Sequence, residues 1–100
     1  LNGFGDPADI ERKRAALEGE TGVRVRYEGA DLMKPEGCAA LVAAAEAVFG
    51  KVDVLVNNAG MQYVSPIEDF PIEKYEQIIA LNLNAAFYTI RAAMAGMKAR

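Results

Sequence analysis

The chain has 100 residues, of which 52% are apolar, 25% charged and 8% aromatic, a globular composition that excludes collagen-like and disordered classes. Its formal charge of −3, from 14 acidic and 11 basic residues, provides no basic stripe, so neither nucleic acid nor an anionic membrane is expected as a partner. A lone cysteine, Cys38, and the absence of histidine leave no disulfide pair and no usual transition-metal ligand set, and point to a reducing, cytoplasmic setting.

No charged-then-apolar signal segment and no uninterrupted run of about 18 apolar residues occurs, so a soluble protein is expected. A structured pattern is already in progress at Leu1 and a helical one still running at Arg100. The expectation is therefore an interior part of a longer domain.

Asp6-Pro7 is a helix entry, because the Asp side chain can accept the first free amides and Pro loses a donor that has no partner there. A helix from about Pro7 to Glu20 is expected, with a thin apolar stripe (Ile10, Leu17) and Gly22 as its stop. Val23, Val25 and Tyr27 alternate with Arg24 and Arg26, the period of a strand at or near a sheet edge. After a turn over Gly29 to Lys34, Pro35 opens a second helix with Cys38, Leu41, Val42, Ala45, Val48 and Phe49 inward and Gly50 at its end. Val52 to Val56 reads as a central strand buried on both faces. Ser65-Pro66-Ile67-Glu68 has the spacing of a capping box and predicts a short helical turn. From about Pro71 to Arg100 the spacing predicts one long helix, with Tyr75, Ile79, Leu83, Ala86, Phe87, Ile90, Met94 and Met97 on one broad inward face. Alternating helices and strands imply an α/β fold, a doubly wound parallel sheet that binds ligands at the carboxyl ends of its strands.

Four constellations stand out, three of them in the loops at those ends. Gly3-Phe4-Gly5-Asp6-Pro7-Ala8 fits the letters of a glycine-rich dinucleotide fingerprint, but Asp6 competes for the free amides and Pro7 deletes one, so it is rejected as a pyrophosphate cradle. Asp31-Leu32 is either an ordinary turn or an acceptor for an adenine amino group with an apolar neighbour. Asn57-Asn58-Ala59-Gly60 is more specific: two amides and two small residues after an apolar strand let a ribose approach the backbone while the Asn side chains tie down neighbours. Asn82 falls on the inward stripe of the long helix, where a buried amide needs partners and acts as structural glue or as a device that bends the helix and holds a water. Asn84 falls off that stripe and reads as a surface residue.

With Asp53-Val54-Leu55-Val56 before Asn57-Asn58-Ala59-Gly60, and Asn82-Leu83-Asn84-Ala85 following at a matching distance, the chain resembles the short-chain dehydrogenase/reductase family along its whole length. Leu1-Asn2-Gly3-Phe4-Gly5, Gly29-Ala30-Asp31-Leu32 and Gln62 are similar to members that interconvert 3-hydroxybutyrate and acetoacetate. The resemblance implies a Rossmann-type three-layer α/β/α domain and hydride transfer between NAD and a small hydroxy or keto acid. Absence of Lys and Arg from residues 1 to 11 favours NAD over NADP. It further implies that Asn82 is the catalytic asparagine, distorting its helix and anchoring a water. Phe4 would border the adenine ribose, Asp31 and Leu32 the adenine, Asn58, Ala59 and Gly60 the adenosine side of the cofactor, and Gln62 the substrate carboxylate.

Tyr63 stands where such members often carry His. None of Tyr27, Tyr63, Tyr75 and Tyr88 has Lys four residues later, so the Tyr-x-x-x-Lys acid/base pair would follow Arg100 and the glycine-rich loop would precede Leu1. In the family's strand order Val23–Tyr27 and Val52–Val56 are separated by the strand ending at Leu1 and by the first strand. Extra apolar residues on the long helix (Ile72, Ile78, Leu81, Tyr88, Ala92, Ala93, Ala95) suggest an assembly surface, and with the resemblance a homotetramer. The alternatives are an NADP-dependent 3-oxoacyl reductase of the same family and a non-catalytic nucleotide-binding protein.

Overall fold

Asp6 starts the first helix as its chemistry requires: Oδ1 accepts from the Ala8 N–H at 3.2 Å, and Pro7 takes the first helical position. In the computed structural model, which describes residues 1–100, α1 spans Pro7–Thr21 and α2 spans Pro35–Phe49. Both end at a glycine in the left-handed region, Gly22 at φ 71° and Gly50 at φ 85°. The chain divides into two compact units, Leu1–Ala30 and Asp31–Arg100.

In the first unit, the Leu1 amino group donates to the Arg26 carbonyl at 3.1 Å and the Glu28 N–H donates to the Leu1 carbonyl at 2.9 Å. These two bonds flanking Tyr27 have the slanted pattern of a parallel pair. Asn2 extends it with its side-chain amide, donating to the carbonyls of Glu28 (2.7 Å) and Ala30 (3.0 Å), and the Tyr27 hydroxyl donates to the Gly3 carbonyl. Backbone groups alternate sides along an extended chain, so Val25 faces the other way. There α1 covers it: Glu18 Oε1 accepts the Val25 N–H at 2.8 Å, and Arg14 Nη1 donates to the Val25 carbonyl at 3.0 Å. The hydrogen bond from Val25 and the pairing with Arg14 hold the Glu18 carboxyl below the usual carboxylate range. An open edge that would otherwise recruit another strand is thus closed by two side chains.

In the second unit, Cys38 and Val42 of α2 are buried, Leu41 and Ala45 are half-buried, and Val48 and Phe49 are exposed at its far end. Their cover is α4 (Ala85–Lys98), through the buried Ala85, Thr89 and Ala93. Small side chains bring the two helices close, and at Gly96 an added Cβ would lie 3.2 Å from Glu46 Oε1. A helix with 3.6 residues per turn puts 85, 89, 93 and 96 on one face. The face expected inward is therefore not the one buried: Tyr75, Leu83, Phe87, Ile90 and Met94 are exposed, because α2 covers the small-residue side.

The long helix itself is continuous but not uniform. α3 (Ile72–Ile79) passes into a π-helical segment, Ala80–Asn84, and then into α4. Over its 27 residues, with mean hydropathy 1.3 in the most apolar window, it is long and apolar enough to cross a bilayer by length and composition. Core helices of water-soluble domains meet the same criterion, and Asn82 and Thr89 on this helix are hydrogen-bonded within the chain. Ahead of it Ile67–Asp69 forms a single 3₁₀ turn, but not through the expected capping box. Ser65 Oγ donates to the Pro66 carbonyl at 3.0 Å, and the turn has no side-chain cap.

The expected strands are corrected as well. The elements are helical throughout, and neither Val23–Tyr27 nor Val52–Val56 is a regular strand. A strand exists through its ladder, and the first segment has only the Leu1 pair, while the second makes no backbone hydrogen bond to a neighbour. Val54 and Val56, expected to be buried, are 78% and 77% exposed.

Candidate functional site

The segment after Val56 turns through Asn57, Asn58, Ala59 and Gly60 and is held against the long helix by polar side chains rather than by packing. At its far end Asn82 uses its whole amide: Oδ1 accepts the Met61 N–H at 2.8 Å and Nδ2 donates to the Met61 carbonyl at 2.8 Å. A primary amide that pairs with one residue's N–H and C=O imitates a neighbouring strand. Asn82 is exposed, not buried as its stripe position suggests, so the partners it needs come from this loop. Gly60 lies under the clasp, where an added Cβ would approach Asn82 Oδ1 to 3.3 Å.

Asn82 sits in the middle of the π-helical turn, and the Ala85 N–H closes that turn on the Ala80 carbonyl. An i→i+5 ring holds one more residue than an α turn, so one peptide group falls out of the regular ladder; such turns cluster at functional sites. The distortion expected of Asn82 is present at the position of the residue itself. Asn84, the last residue of the turn, is half-buried rather than on the surface.

The near end of the loop is held by a residue that the sequence does not single out. Thr89 is 2% exposed, and its hydroxyl donates to Asn57 Oδ1 at 2.6 Å, sharing its proton with the carbonyls of Ala85 and Ala86, each at 3.1 Å. Between these two attachments Asn58, Ala59 and Gly60 are exposed, and their backbone groups make no hydrogen bond within the chain. Small side chains and free amides at a loop tied at both ends form a surface that a sugar hydroxyl can approach and bond.

Asp31 and Leu32 lie in the turn before α2. Asp31 Oδ1 accepts the Met33 N–H at 3.0 Å and its carbonyl accepts the Lys34 N–H at 3.3 Å, a side-chain-stabilised turn. One carboxylate oxygen has no partner there and can accept from a ligand. The Leu32 carbonyl accepts the Cys38 thiol at 3.3 Å, and burial, with the nearby Asp31 charge, pushes that thiol up from its ordinary value. Phe4 belongs to the first unit and is 72% exposed. The Asp6 bond to Ala8 occupies an amide that an anion would need, as the rejection of the Gly3–Ala8 fingerprint assumes.

Gln62 is exposed immediately after the clasped Met61. Tyr63 beside it makes an edge contact with Phe70, ring centroids 5.4 Å apart, and Lys74 Nζ stands 5.6 Å from its centroid. No group of Cys, Asp and Glu is arranged to hold a metal ion. The residues brought together are thus Asn82, Gly60 and Met61, with Thr89 and Asn57 at the other end of the loop.

Comparison with known proteins follows the same lines. Residues 6–100 match the short chain dehydrogenase family. The chain is 49% identical over 98 residues to the D-beta-hydroxybutyrate dehydrogenase of Cupriavidus necator, a match covering 98% of this chain and 37% of that protein. It is 45% identical over 98 residues to the D-beta-hydroxybutyrate dehydrogenase of Rhizobium meliloti, covering 98% of this chain and 38% of that protein. The crystal structure of L-sorbose reductase from Gluconobacter frateurii complexed with NADPH and L-sorbose superposes with a TM-score of 0.87 at 33% identity, over 95% of this chain and 36% of that one. The chain therefore spans 37% and 38% of the two curated relatives. Its backbone follows the path of a Rossmann-type α/β protein even where the strand ladders are not formed.

Proposed function

The chain belongs to the short-chain dehydrogenase family, and from that membership we propose that the protein carrying it is an NAD-dependent oxidoreductase acting on the 3-hydroxybutyrate/acetoacetate pair. The observation that carries the reading is the Asn82 clasp on Met61 within a π-helical turn. It supplies the loop with free amides, the helix distortion and the asparagine in one place. Support for the substrate comes from the 49% and 45% identity to two D-beta-hydroxybutyrate dehydrogenases.

In this reading the nicotinamide cofactor, when bound, supplies or accepts the hydride. The chain's own residues bind and orient. Asn58, Ala59 and Gly60 offer backbone groups to the adenosine side, the free oxygen of Asp31 accepts from the adenine amino group, and Leu32 packs beside it. Gln62 donates through its amide to the substrate carboxylate. Asn82 holds the loop through its side chain, and a peptide group taken out of the regular ladder by the π turn would hold a water. Proton transfer at the reacting oxygen falls to a Tyr-x-x-x-Lys pair outside residues 1–100, since no tyrosine here has Lys four residues later.

NAD is preferred over NADP because no Lys or Arg occurs among residues 1 to 11 to meet a 2′-phosphate. The exposed stripe Leu83, Phe87, Ile90 and Met94 is assigned to assembly of a homotetramer, and the setting to the cytoplasm. The test is a comparison of NADH and NADPH as reductants of acetoacetate by the full-length protein, alongside its Gln62→Ala variant. Preference for NADH and a raised KM for acetoacetate in the variant support the proposal. Equal or better use of NADPH would favour a 3-oxoacyl reductase, and binding of nucleotide with no turnover a non-catalytic protein.

A further inference from the structure

We propose that Thr89 is a positioning residue: through Asn57 it holds the near end of the Asn58–Gly60 loop in the shape on which a dinucleotide ribose rests. The inference depends on the functional reading above for its ligand, and on the geometry alone for its mechanics. Thr89 and Asn82 are seven residues apart on one helix, a rise of about 10 Å. Their partners, Asn57 and Met61, are four residues apart, a stretch that reaches at most about 14 Å when fully extended. The loop therefore has little slack between its two attachments.

Each attachment has its own character. Asn82 grips the backbone of Met61 at two atoms, which fixes the far end in register. Thr89 grips only the side chain of Asn57, at 2.6 Å, from a position that is 2% exposed. The hydroxyl is buried but Asn57 is exposed, so water can satisfy the Asn57 amide once the bond is lost without holding it in place. Once the near end is released, the only remaining tie is at Met61, and Asn58, Ala59 and Gly60 have no hydrogen bond of their own to hold them. The three residues assigned to the ribose would then sample many conformations, and binding would select one of them at a cost in affinity. Chemistry at the Asn82 end would be untouched, because its clasp does not pass through Asn57.

The test uses Thr89→Val, which keeps the branched shape and removes the hydroxyl, and Thr89→Ser, which keeps the hydroxyl and removes the methyl, both in the full-length protein. In the absence of ligand these three amides are already unbonded, so the loop is read by its order: NMR order parameters at Asn58, Ala59 and Gly60 should fall in Thr89→Val toward the flexible range below about 0.6. Met61 should stay protected, and Thr89→Ser should match the unaltered protein. The KM for NADH should rise about 3- to 10-fold in Thr89→Val, the scale of one lost hydrogen bond, with kcat within about twofold of its original value. Asn57→Ala removes the bond from the other side and should reproduce this pattern, which keeps the test available if Thr89→Val folds badly. Unchanged loop order parameters and KM in both Thr89→Val and Asn57→Ala would overturn the proposal. Impairment of Thr89→Ser equal to that of Thr89→Val would also overturn it, since packing and not the hydroxyl would then be responsible. If the unaltered protein binds neither NADH nor NADPH, the dinucleotide reading fails and the ribose part of this proposal with it; the order-parameter measurement separately supports or overturns the attachment by Thr89.

Discussion

Replacing Asn82 by Ala removes both bonds to Met61, each 2.8 Å long, without disturbing the packing of α4 on α2, to which Asn82 makes no buried contribution. A hydrogen bond of this kind contributes about 0.5–1.5 kcal/mol net, so the clasp contributes about 1–3 kcal/mol to keeping the loop closed. At about 1.4 kcal/mol per factor of ten, the open population of the loop should rise roughly 5- to 150-fold. The exposure of Asn82 argues for the lower half of that range, because water can replace part of what is lost. Ala is also the better helix former, by up to about 0.7 kcal/mol, so the helix itself gains, and the π turn loses its reason to persist. The expected result in the full-length protein is faster exchange of the Met61 amide by that factor, a clear fall in kcat, a smaller change in cofactor KM and a thermal midpoint shifted little. An unchanged Met61 exchange rate, or a lower thermal midpoint with turnover per folded molecule intact, would refute the reasoning and leave Asn82 a structural residue.

Three further outcomes follow from other parts of the chain. Glu18 has its carboxyl held low by the Val25 N–H and Arg14, so its stabilising effect is complete above the ordinary carboxylate value of about 4.3 and is lost as pH falls through the lowered one; Glu18→Gln should flatten the stability profile below about pH 5 in urea unfolding of the full-length protein, and an unaltered profile would contradict it. Cys38 has a buried thiol with a raised value, so it should react with a maleimide at neutral pH only as fast as the protein opens, and prompt labelling of the folded protein would count against its burial. Residues 1–100 alone should show partial helicity, rapid exchange throughout Val52–Val56 and no NADH oxidation with acetoacetate, whereas a cooperative thermal transition with slow exchange there would mean that this chain is self-sufficient.

What could be read from the sequence divides by the distance over which each feature is decided. Asp6, Gly22, Pro35 and Gly50 mark the helix ends within a residue, because a cap is a contact between near neighbours. The strands failed as regular elements because a ladder needs a partner that periodicity cannot supply, and Val52–Val56 has none. In the long helix, counting large apolar residues selected the face of Leu83, Phe87 and Met94, yet α2 packs against Ala85, Thr89 and Ala93, where close approach favours small side chains. Asn82 was legible because an amide on an apolar stripe demands partners, although its partner turned out to be a loop backbone. Thr89 was not legible: a threonine in the middle of a helix commonly bonds its own carbonyl four residues back, and it does so here with Ala85, so only the position of Asn57 reveals its second role. Ser65 had the right spacing for a capping box, but its hydroxyl found the nearer Pro66 carbonyl.

The most direct measurement is the nicotinamide absorbance of the full-length protein mixed with NADH and acetoacetate, and in reverse with NAD and 3-hydroxybutyrate. The account predicts loss of NADH that depends on acetoacetate, its formation from 3-hydroxybutyrate, and weaker activity with NADPH. Failure of the folded protein to transfer hydride in either direction, with either nucleotide, would contradict it.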